Sequence, residues 1–281
     1  MNLPHSPLSD ACSFLFVPAT QPERYGKALA SGADGVIIDL EDAVGLDDKA
    51  KAREILKKTW PSISIDQKHR IIVRCNAPGT PFYAADLVLA KELQVQYLMI
   101  PKTESHDQIN GAAEELENTA FIPMIETPLG LHHLNEIASA EQVLRLALGN
   151  LDMQVEMGMS CDENETEIDT ARFMLVLASK LAQIAPPIDG VTPSTDDEAR
   201  IFAHAQKAKR FGFGAKLCIH PKQIPIVKRA FTPNPEELDW AKRVISADKA
   251  SKGQAVKVDG KMVDRPVVIL ARRILVLAGN P

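Results

Sequence analysis

The feature that most constrains this chain is a series of eight short apolar runs, separated by longer segments with a helical period. The runs are Phe14–Val17, Val36–Asp39, Ile71–Arg74, Tyr97–Ile100, Phe121–Ile125, Leu144–Leu148, Ile188–Val191 and Ala215–Ile219. Runs that are short and almost continuously apolar are typical of strands buried on both faces of a parallel sheet. Eight alternating strands and helices favour an α/β fold of the (β/α)₈ type, a TIM barrel, with an open doubly wound sheet as the alternative.

Helix-start and helix-end signals lie between these runs. A capping box pairs an N-cap Ser, Thr or Asn with Glu or Gln three residues later, and Pro is favoured in the first turn. Four segments predict such helix starts: Thr20–Glu23, Ser105–Gln108, Thr195–Glu198 and Asn234–Glu237. Glycine adopts the left-handed conformation that ends many helices, so we expect helices to end near Gly32 and Gly212.

The last part of the chain changes character. We predict a (β/α)₈ catalytic domain over residues 1–247 and an appended segment over residues 248–281, which begins with a polar, glycine-containing hinge up to about residue 262. The final helix has an apolar face formed by Val267, Val268, Leu270, Ala271, Ile274 and Leu275. Because eight strands are already complete, this helix is surplus to the barrel. It can pack on its own barrel or on a neighbouring subunit.

Composition narrows the classes of function and the cellular setting. The formal net charge of −5 provides no basic field, so no nucleic-acid partner is expected. The chain has no run of about 18 apolar residues to predict a membrane span, and residues 1–12 lack the apolar core of a signal peptide. The four cysteines lie far apart without a C-x-x-C pair. This spacing argues against zinc and disulfides and favours a reducing, cytoplasmic location.

Two acidic residues follow neighbouring runs. In a parallel barrel the active site lies where the carboxyl ends of the strands meet, and Glu126 and Asp152 follow the fifth and sixth runs. Two oxygen ligands with open coordination positions suit Mg²⁺, with Mn²⁺ as an alternative ion. Either acid alone is explained as well by helix capping or by an ion pair with Arg74. Two acids on adjacent strand ends beside an arginine favour the metal site.

Arg74 is the first candidate for holding an anionic substrate. Its planar guanidinium can bind a carboxylate through two parallel hydrogen bonds, and a buried ion pair with Asp39 or Glu41 is the alternative. Both states can occur in turn, without and with substrate. We expect Glu41 to orient Arg74 or a metal-bound water. Asn150, which follows the sixth run, is assigned to substrate binding together with Arg74 and Glu126.

Three other residues near strand ends have less specific interpretations. Lys102 can form a Schiff base in a metal-free aldolase, although an ion pair or a phosphate contact is preferred. His220 is interpreted as a hydrogen-bonded structural imidazole, and Cys75 as a core residue rather than a nucleophile. The sequence contains no motif for NAD, for ATP or for a serine hydrolase.

Short motifs follow one another along nearly the whole chain. They are Phe14–Pro18 with Pro22–Arg24, Ser31–Gly35, Asp39–Val44, Val73–Asn76, Pro78–Thr80, Pro101–Lys102, Ile125–Thr127 with Gly130, Gly149–Asp152, Ile188–Val191, Ile219–Pro221 with Gln223, and Gly260–Asp264. In this order they resemble the motifs of the citrate lyase β-subunit family and its acyl-CoA lyase relatives. Two positions depart from the family pattern, where Arg and Gly are frequent: Cys12 and Ala19. Both departures bear on how the thioester carrier is bound.

The resemblance implies roles that the residues alone do not establish. It implies Mg²⁺ on Glu126 and Asp152, and an Arg74 that grips the acid or keto-acid part of the substrate. It also implies that Arg24 and Lys27 contact coenzyme A.

A quaternary arrangement is implied as well. The resemblance predicts a homo-oligomer, a trimer or a hexamer, in which the C-terminal segment covers a neighbour's active site. Asp264 then enters that site as an acid/base group.

Residues and resemblance together predict a Mg²⁺-dependent carbon–carbon lyase. Its expected substrate is a 3-hydroxy-acyl-CoA of the citramalyl, malyl or citryl type, which a retro-aldol (retro-Claisen) step cleaves to acetyl-CoA and a keto acid. The alternatives are a class II aldolase acting on a free hydroxy-keto acid and a β subunit of a multi-component citrate lyase that uses an acyl-carrier protein. A third alternative is a barrel that binds a thioester without catalysing a reaction.

Overall fold

The computed structural model describes residues 6–251 and 254–279. The chain forms two compact units, Met1–Lys228 and Arg229–Pro281. This division lies earlier in the chain than the domain boundary predicted after residue 247. Lys252 and Gly253 of the predicted hinge lie outside the described residues.

The first unit contains a closed barrel of eight parallel strands in sequential order, with the last strand paired to the first. All eight predicted strands form, which confirms the (β/α)₈ barrel over the open sheet. They are β1 Ser13–Pro18, β2 Gly35–Asp39, β3 Ile71–Arg74, β4 Tyr97–Ile100, β5 Ala120–Ile125, β6 Ala147–Leu148, β7 Ile188–Asp189 and β8 Ala215–Cys218. The continuous apolar runs form strands because barrel and helices bury both faces of the sheet.

Helices follow the strands and surround the barrel. In chain order they are α1 Tyr25–Ala30, α2 Lys49–Thr59, α3 Ile65–Lys68, α4 Tyr83–Glu92, α5 His106–Glu115, α6 Pro128–His132, α7 Leu134–Ser139, α8 Asn150–Glu156, α9 Asp169–Leu181, α10 Glu198–Phe211 and α11 Gln223–Phe231. Short 3₁₀ turns lie at Pro22–Arg24, Leu46–Asp48, Trp60–Ser62 and Thr166–Ile168.

The predicted helix signals have different outcomes. Capping boxes form at Ser105 and at Asn234, and Gly32 and Gly212 end their helices with positive φ, as predicted. The box predicted at Thr20 is wrong, because Pro22 begins a 3₁₀ turn after Gln21 without a side-chain cap.

The box predicted at Thr195 is also wrong. The Thr195 hydroxyl donates to the neighbouring Asp196 carboxylate, and Ser194 Oγ accepts the N–H of Asp197. Asp197 itself becomes the N-cap of α10 and accepts the N–H of Arg200. Competing short-range bonds among Ser, Thr and Asp therefore move the helix start by two residues.

A fully buried arginine closes the amino-terminal end of the barrel. The Arg145 guanidinium donates to the carbonyl oxygens of Leu8 at 2.8 Å, Ala11 at 3.0 Å and Pro186 at 2.9 Å. Its Cζ lies 5.3 Å from the centre of the Phe14 ring. Leu8, Ala11 and Phe14 belong to the apolar core of the barrel. Arg145 thus satisfies carbonyl groups that the packed interior would otherwise leave without partners.

Replacing Arg145 by Met should lower the free energy of unfolding by about 3 kcal/mol, because several buried carbonyl groups lose their donor. Denaturant unfolding followed by circular dichroism measures this change. The control is Lys91→Met, which removes an exposed ion pair with Glu115 and should cost less than about 1 kcal/mol. Equal losses in the two variants would contradict the role given to Arg145.

The second unit contains α12 Pro235–Ala250, β9 Val256–Val258, β10 Lys261–Val263 and α13 Arg265–Leu277. The strands pair antiparallel across Asp259 and Gly260, which both have positive φ. A hairpin therefore occupies part of the segment in which we predicted a hinge. Two residues with positive φ form the turn type that matches the twist of a hairpin.

The predicted final helix is present as α13. Val268 and Ala271 of its apolar face are buried with Ala241 and Val244 of α12, whereas Leu270 of the same predicted face is 51% exposed. Among the residues described, no helix combines the length and the apolar character needed to cross a bilayer.

Candidate functional site

A cavity of about 710 Å³ lies at the carboxyl ends of the strands. Its lining includes Asp39 and His220 and the candidate residues Arg24, Lys27, Arg74, Glu126, Asn150 and Asp152. Arg74 is the last residue of β3, Glu126 directly follows β5, and Asp152 lies in the first turn of α8. The barrel therefore brings together residues that are far apart in the sequence, because parallel strands all end at the same face.

Arg74 is held by Asp39, the residue paired with it in the neighbouring strand. Its Nε and Nη2 atoms donate to the two Asp39 oxygens at 2.7 and 2.6 Å. The guanidinium also lies over the Phe16 ring, with 4.7 Å between Cζ and the ring centre. Burial works against the charge of Arg74, but Asp39 outweighs it and raises the pKa of the guanidinium. The ion pair considered from the sequence is thus present.

Glu41 is buried beside the same guanidinium. Its Oε2 lies 2.8 Å from Arg74 Nη1, but this oxygen accepts no hydrogen bond from the described residues. Burial raises the pKa of Glu41 to about 7, against the opposing charge of Arg74. The site therefore contains a buried carboxylate oxygen that is close to a positive charge and still able to accept a hydrogen bond.

Glu126 is 2% exposed and bonds through Oε1 to the backbone N–H of Lys102 at 2.7 Å. Burial raises its pKa to about 8, and the charges of Glu41 and Asp152 contribute. Gly149 makes room for the carboxylate, since a Cβ at this position would lie 2.1 Å from Glu126 Oε2. The chain after β6 thus passes directly against the Glu126 carboxyl group.

Lys102 connects the acidic residues. Its Nζ lies 3.6 Å from Asp152 Oδ1 and 3.7 Å from Glu41 Oε1, while its backbone N–H holds Glu126. Its φ of +47° is unusual for a residue other than glycine. These contacts agree with the ion-pair interpretation of Lys102.

The side-chain amide of Asn150 is bonded within the protein. Its Nδ2 donates to Glu165 Oε1 at 3.1 Å and to the Val191 carbonyl at 3.0 Å, and its Oδ1 accepts the Val191 N–H at 2.9 Å. Sequence reasoning missed Glu165, which lies in a loop 15 residues from Asn150 and carries no recognisable motif. The substrate-binding role of Asn150 stays a prediction, since its two amide hydrogens already have acceptors.

Other candidate residues lie at the edge of this arrangement or away from it. Arg24 and Lys27 are exposed side chains at the cavity, and His220 is half-buried there with Nδ1 accepting the Lys222 N–H. Cys75 is fully buried, as predicted. All four cysteines are free thiols.

Asp264 belongs to the second unit. It is the half-buried N-cap residue of α13, and its side chain makes no capping hydrogen bond. Its predicted entry into a neighbouring subunit's site stays a prediction.

The donor set fits a hard divalent cation. Burial keeps the pKa values of both Glu41 and Glu126 raised, which means that this site would gain from a further positive charge. Within residues 6–251 and 254–279, no three His, Cys, Asp or Glu side chains are grouped to form a metal site by themselves. Glu126 and Asp152 therefore provide two oxygen donors, an arrangement that suits Mg²⁺ with water or substrate as the remaining ligands.

Comparison with known proteins agrees with the barrel fold. Residues 12–221 match the model of the HpcH/HpaI aldolase/citrate lyase family. The chain belongs to this family. The lyase class and the family resemblance predicted from the sequence are therefore confirmed at the level of the family.

Individual relatives cover almost the full length of the chain. A citrate lyase subunit beta-like protein of Mycobacterium tuberculosis is 36% identical over 273 residues, covering 95% of both chains. A (3S)-malyl-CoA thioesterase of Cereibacter sphaeroides is 31% identical over 269 residues, covering 95% of this chain and 94% of the relative. The crystal structure of M. tuberculosis CitE with magnesium, acetoacetate and coenzyme A has a TM-score of 0.87 and 34% identity. That comparison covers 96% of this chain and 99% of the other.

Replacing Glu126 by Gln should stabilise the metal-free protein at alkaline pH. A carboxyl whose pKa rises from 4.5 to about 8 on folding stabilises the fold below pH 4.5 and loses that contribution as the pH rises towards 8. Gln does not titrate. The advantage of the variant should therefore grow by about 3 to 4 kcal/mol between pH 5 and pH 8.

Denaturant unfolding in EDTA at the two pH values measures this difference. Glu115→Gln removes an exposed carboxylate and should change stability by less than about 1 kcal/mol at either pH. A Glu126 variant that is no more stable than the parent at pH 8 would contradict the burial argument.

Proposed function

We propose that this protein is a Mg²⁺-dependent lyase that cleaves a carbon–carbon bond in a 3-hydroxy-acyl-CoA of the citramalyl, malyl or citryl type. The products are acetyl-CoA and a keto acid. The observation that carries the proposal is the meeting of Glu126, Asp152 and Arg74 around one cavity at the carboxyl ends of the strands. The complex of the M. tuberculosis relative with magnesium, acetoacetate and coenzyme A supports the same ligand classes.

Glu126 and Asp152 are the residues that would hold the metal, with Mn²⁺ as an alternative to Mg²⁺. When bound, the ion supplies positive charge that lowers the pKa of the substrate hydroxyl and stabilises negative charge on its oxygen. Lys102 holds Glu126 through its backbone N–H, and its ammonium lies 3.6 Å from Asp152. The Glu126 side chain is therefore oriented before a ligand arrives, while the half-exposed Asp152 carboxylate is held more loosely.

Arg74 is proposed to bind the substrate carboxylate. Its Nε and one Nη2 hydrogen are used by Asp39, which leaves N–H groups on Nη1 and Nη2 for a second anion. The Asp39 pair prevents rotation of the guanidinium and so fixes the direction of those hydrogens. Glu41 Oε2 lies against Nη1, and it is proposed to accept a hydrogen bond from the substrate hydroxyl or from a water.

In the proposed reaction Glu41 takes the proton from the substrate hydroxyl, whose oxygen forms the carbonyl of the keto acid. The electron pair of the broken carbon–carbon bond passes to the thioester enolate, which an acid then protonates to give acetyl-CoA. We assign the acid role to Asp264 from a neighbouring subunit of a trimer or hexamer. Its half-buried carboxylate with no capping bond supports this assignment.

Arg24 and Lys27 are proposed to contact the phosphates of coenzyme A. Both are exposed cations at the cavity, where an anionic carrier can reach them. An acyl-carrier protein with a pantetheine arm is the alternative carrier. The free thiols of all four cysteines support the cytoplasmic location included in the proposal.

A thioesterase is the second candidate function. It is favoured by the 31% identity to the (3S)-malyl-CoA thioesterase over 95% of this chain. Its substrate would occupy the same cavity, with a water in addition as the attacking group. The two functions differ in their products. A lyase releases acetyl-CoA and a keto acid, whereas a thioesterase releases free coenzyme A and a hydroxy acid.

Incubation with citramalyl-CoA, malyl-CoA and citryl-CoA should give acetyl-CoA and the matching keto acid from at least one of them. EDTA should abolish the reaction and excess Mg²⁺ should restore it, because the two protein carboxylates need a cation between them and the substrate. Liquid chromatography of the CoA species measures the products. Undiminished turnover in EDTA would contradict the metal role, and free coenzyme A as the first product would favour the thioesterase.

Replacing Arg74 by Lys should lower kcat/KM by about 100-fold or more, because Lys cannot hold Asp39 and a substrate carboxylate through paired hydrogen bonds. Steady-state kinetics measure the loss. The matched control is Arg53→Lys, which alters an ion pair with Asp86 outside the cavity lining and should leave kcat/KM within a few-fold. Similar losses in both variants would contradict the substrate-binding role of Arg74.

A further inference from the structure

We propose that Glu165 is a positioning residue for the metal site. It holds the side chain of Asn150 and, through Asn150, the first turn of α8 that carries Asp152. The part of this inference that concerns the metal rests on the proposed function. The part that concerns the orientation of α8 stands on contacts within the protein alone.

The side chain of Asp152 has few contacts that would fix its position. Its side chain is 41% exposed, and its one ion-pair partner among the described residues, Lys102, lies 3.6 Å away. The place of this carboxylate therefore depends on the backbone of α8, a helix of only seven residues. Whatever anchors the first residue of this helix also fixes Asp152, two residues later.

Asn150 is that anchor. It is the first residue of α8 and is 1% exposed. Its amide forms a pair of hydrogen bonds with the backbone N–H and carbonyl of Val191, just beyond β7. Gly190 permits this approach, since a Cβ there would lie 2.1 Å from Asn150 Oδ1. The start of α8 is thus bound to the chain just beyond β7. A single attachment point still leaves the helix free to tilt.

Glu165 supplies the second fixed point. It is 4% exposed, its φ is +50°, and its Oε1 accepts the remaining Nδ2 hydrogen of Asn150. Its Oε2 accepts a hydrogen bond of 2.5 Å from Arg172. A carboxylate accepts at both oxygens at once, so it can bond Asn150 and Arg172 together. A neutral amide at this position cannot do so.

A buried ionic network keeps Glu165 in its place. Arg172 also donates to Asp189 at 3.0 Å and to Asp169 at 3.0 Å. Lys216 donates to the other Asp189 oxygen at 2.9 Å. Asp189 ends β7 and Lys216 lies in β8, so the network is attached to the barrel itself. Glu165 therefore transfers the rigidity of two strands to Asn150, which a flexible surface loop would not do.

The decisive variant is Glu165→Gln. The amide oxygen should remain with Arg172, the charged partner, which turns the amide NH₂ towards the Nδ2 of Asn150 and removes that one hydrogen bond. Asp169→Asn is the matched control. It also removes a negative charge from Arg172, but among the described residues Asp169 forms no hydrogen bond with Asn150, and its side chain is 26% exposed.

The experiment measures Mn²⁺ binding to the full-length chain by electron paramagnetic resonance, and amide hydrogen exchange of residues 149–153 in metal-free protein. Glu165→Gln should weaken Mn²⁺ binding about 10-fold or more, as for other groups that orient a ligand, and should accelerate exchange in residues 149–153. Asp169→Asn should do neither. Equal effects of the two substitutions, or unchanged exchange in Glu165→Gln, would overturn the proposal.

The two readouts separate this inference from the proposed function. If the parent protein binds no Mn²⁺, the metal role of Glu126 and Asp152 is wrong, while hydrogen exchange still decides whether Glu165 holds α8. If Glu165→Gln does not fold, Asn150→Asp removes the same hydrogen bond from its other end, together with the one to the Val191 carbonyl. That variant keeps the acceptor for the Val191 N–H and places a negative charge against Glu165, so it should also weaken Mn²⁺ binding and accelerate exchange. Parent-like values in Asn150→Asp would overturn the proposal.

Discussion

The ion pair between Arg74 and Asp39 is the interaction on which the rest of the site depends. The two residues end adjacent strands and are paired in register, so the barrel places their side chains next to each other. The Arg74 guanidinium is almost fully buried and needs bonded acceptors, of which Asp39 supplies a charged pair. Once Asp39 holds the edge formed by Nε and Nη2, the free hydrogens of Arg74 point in a fixed direction, and Glu41 lies against Nη1.

Five acidic side chains lie around two cations, Arg74 and Lys102: they are Asp39, Glu41, Asp42, Glu126 and Asp152. Burial raises the pKa values of Glu41 and Glu126, which means that the folded chain destabilises their ionised forms. A further positive charge would stabilise both carboxylates. Such a cluster lowers stability and is retained where binding uses it. Lys102, which holds the acids, and Glu165, which holds α8, both have a positive φ. Such a strained backbone persists only where the surrounding structure imposes it.

Most of the barrel was predictable because each strand carries its own signal. A short apolar run between helical segments indicates a buried strand wherever it occurs, and Glu126 and Arg74 are found simply by reading the residue that ends such a run. The helix start predicted at Thr195 was wrong because neighbouring Ser and Asp residues form competing local hydrogen bonds. The one at Thr20 was wrong because Pro22 begins a 3₁₀ turn there. The hairpin around Asp259 was missed because its strands are only three residues long and one of them is largely exposed.

By itself, the sequence determined the fold class, the family and the residue types at the mouth of the barrel, because these depend on periodicity and on local order along the chain. Only the tertiary structure decided which partner each charged side chain has. Asn150 meets Glu165 and Val191, and Lys102 meets three acids, through contacts across loops and strands that no local pattern encodes. Their energies depend on burial and distance, which exist only after the barrel has closed.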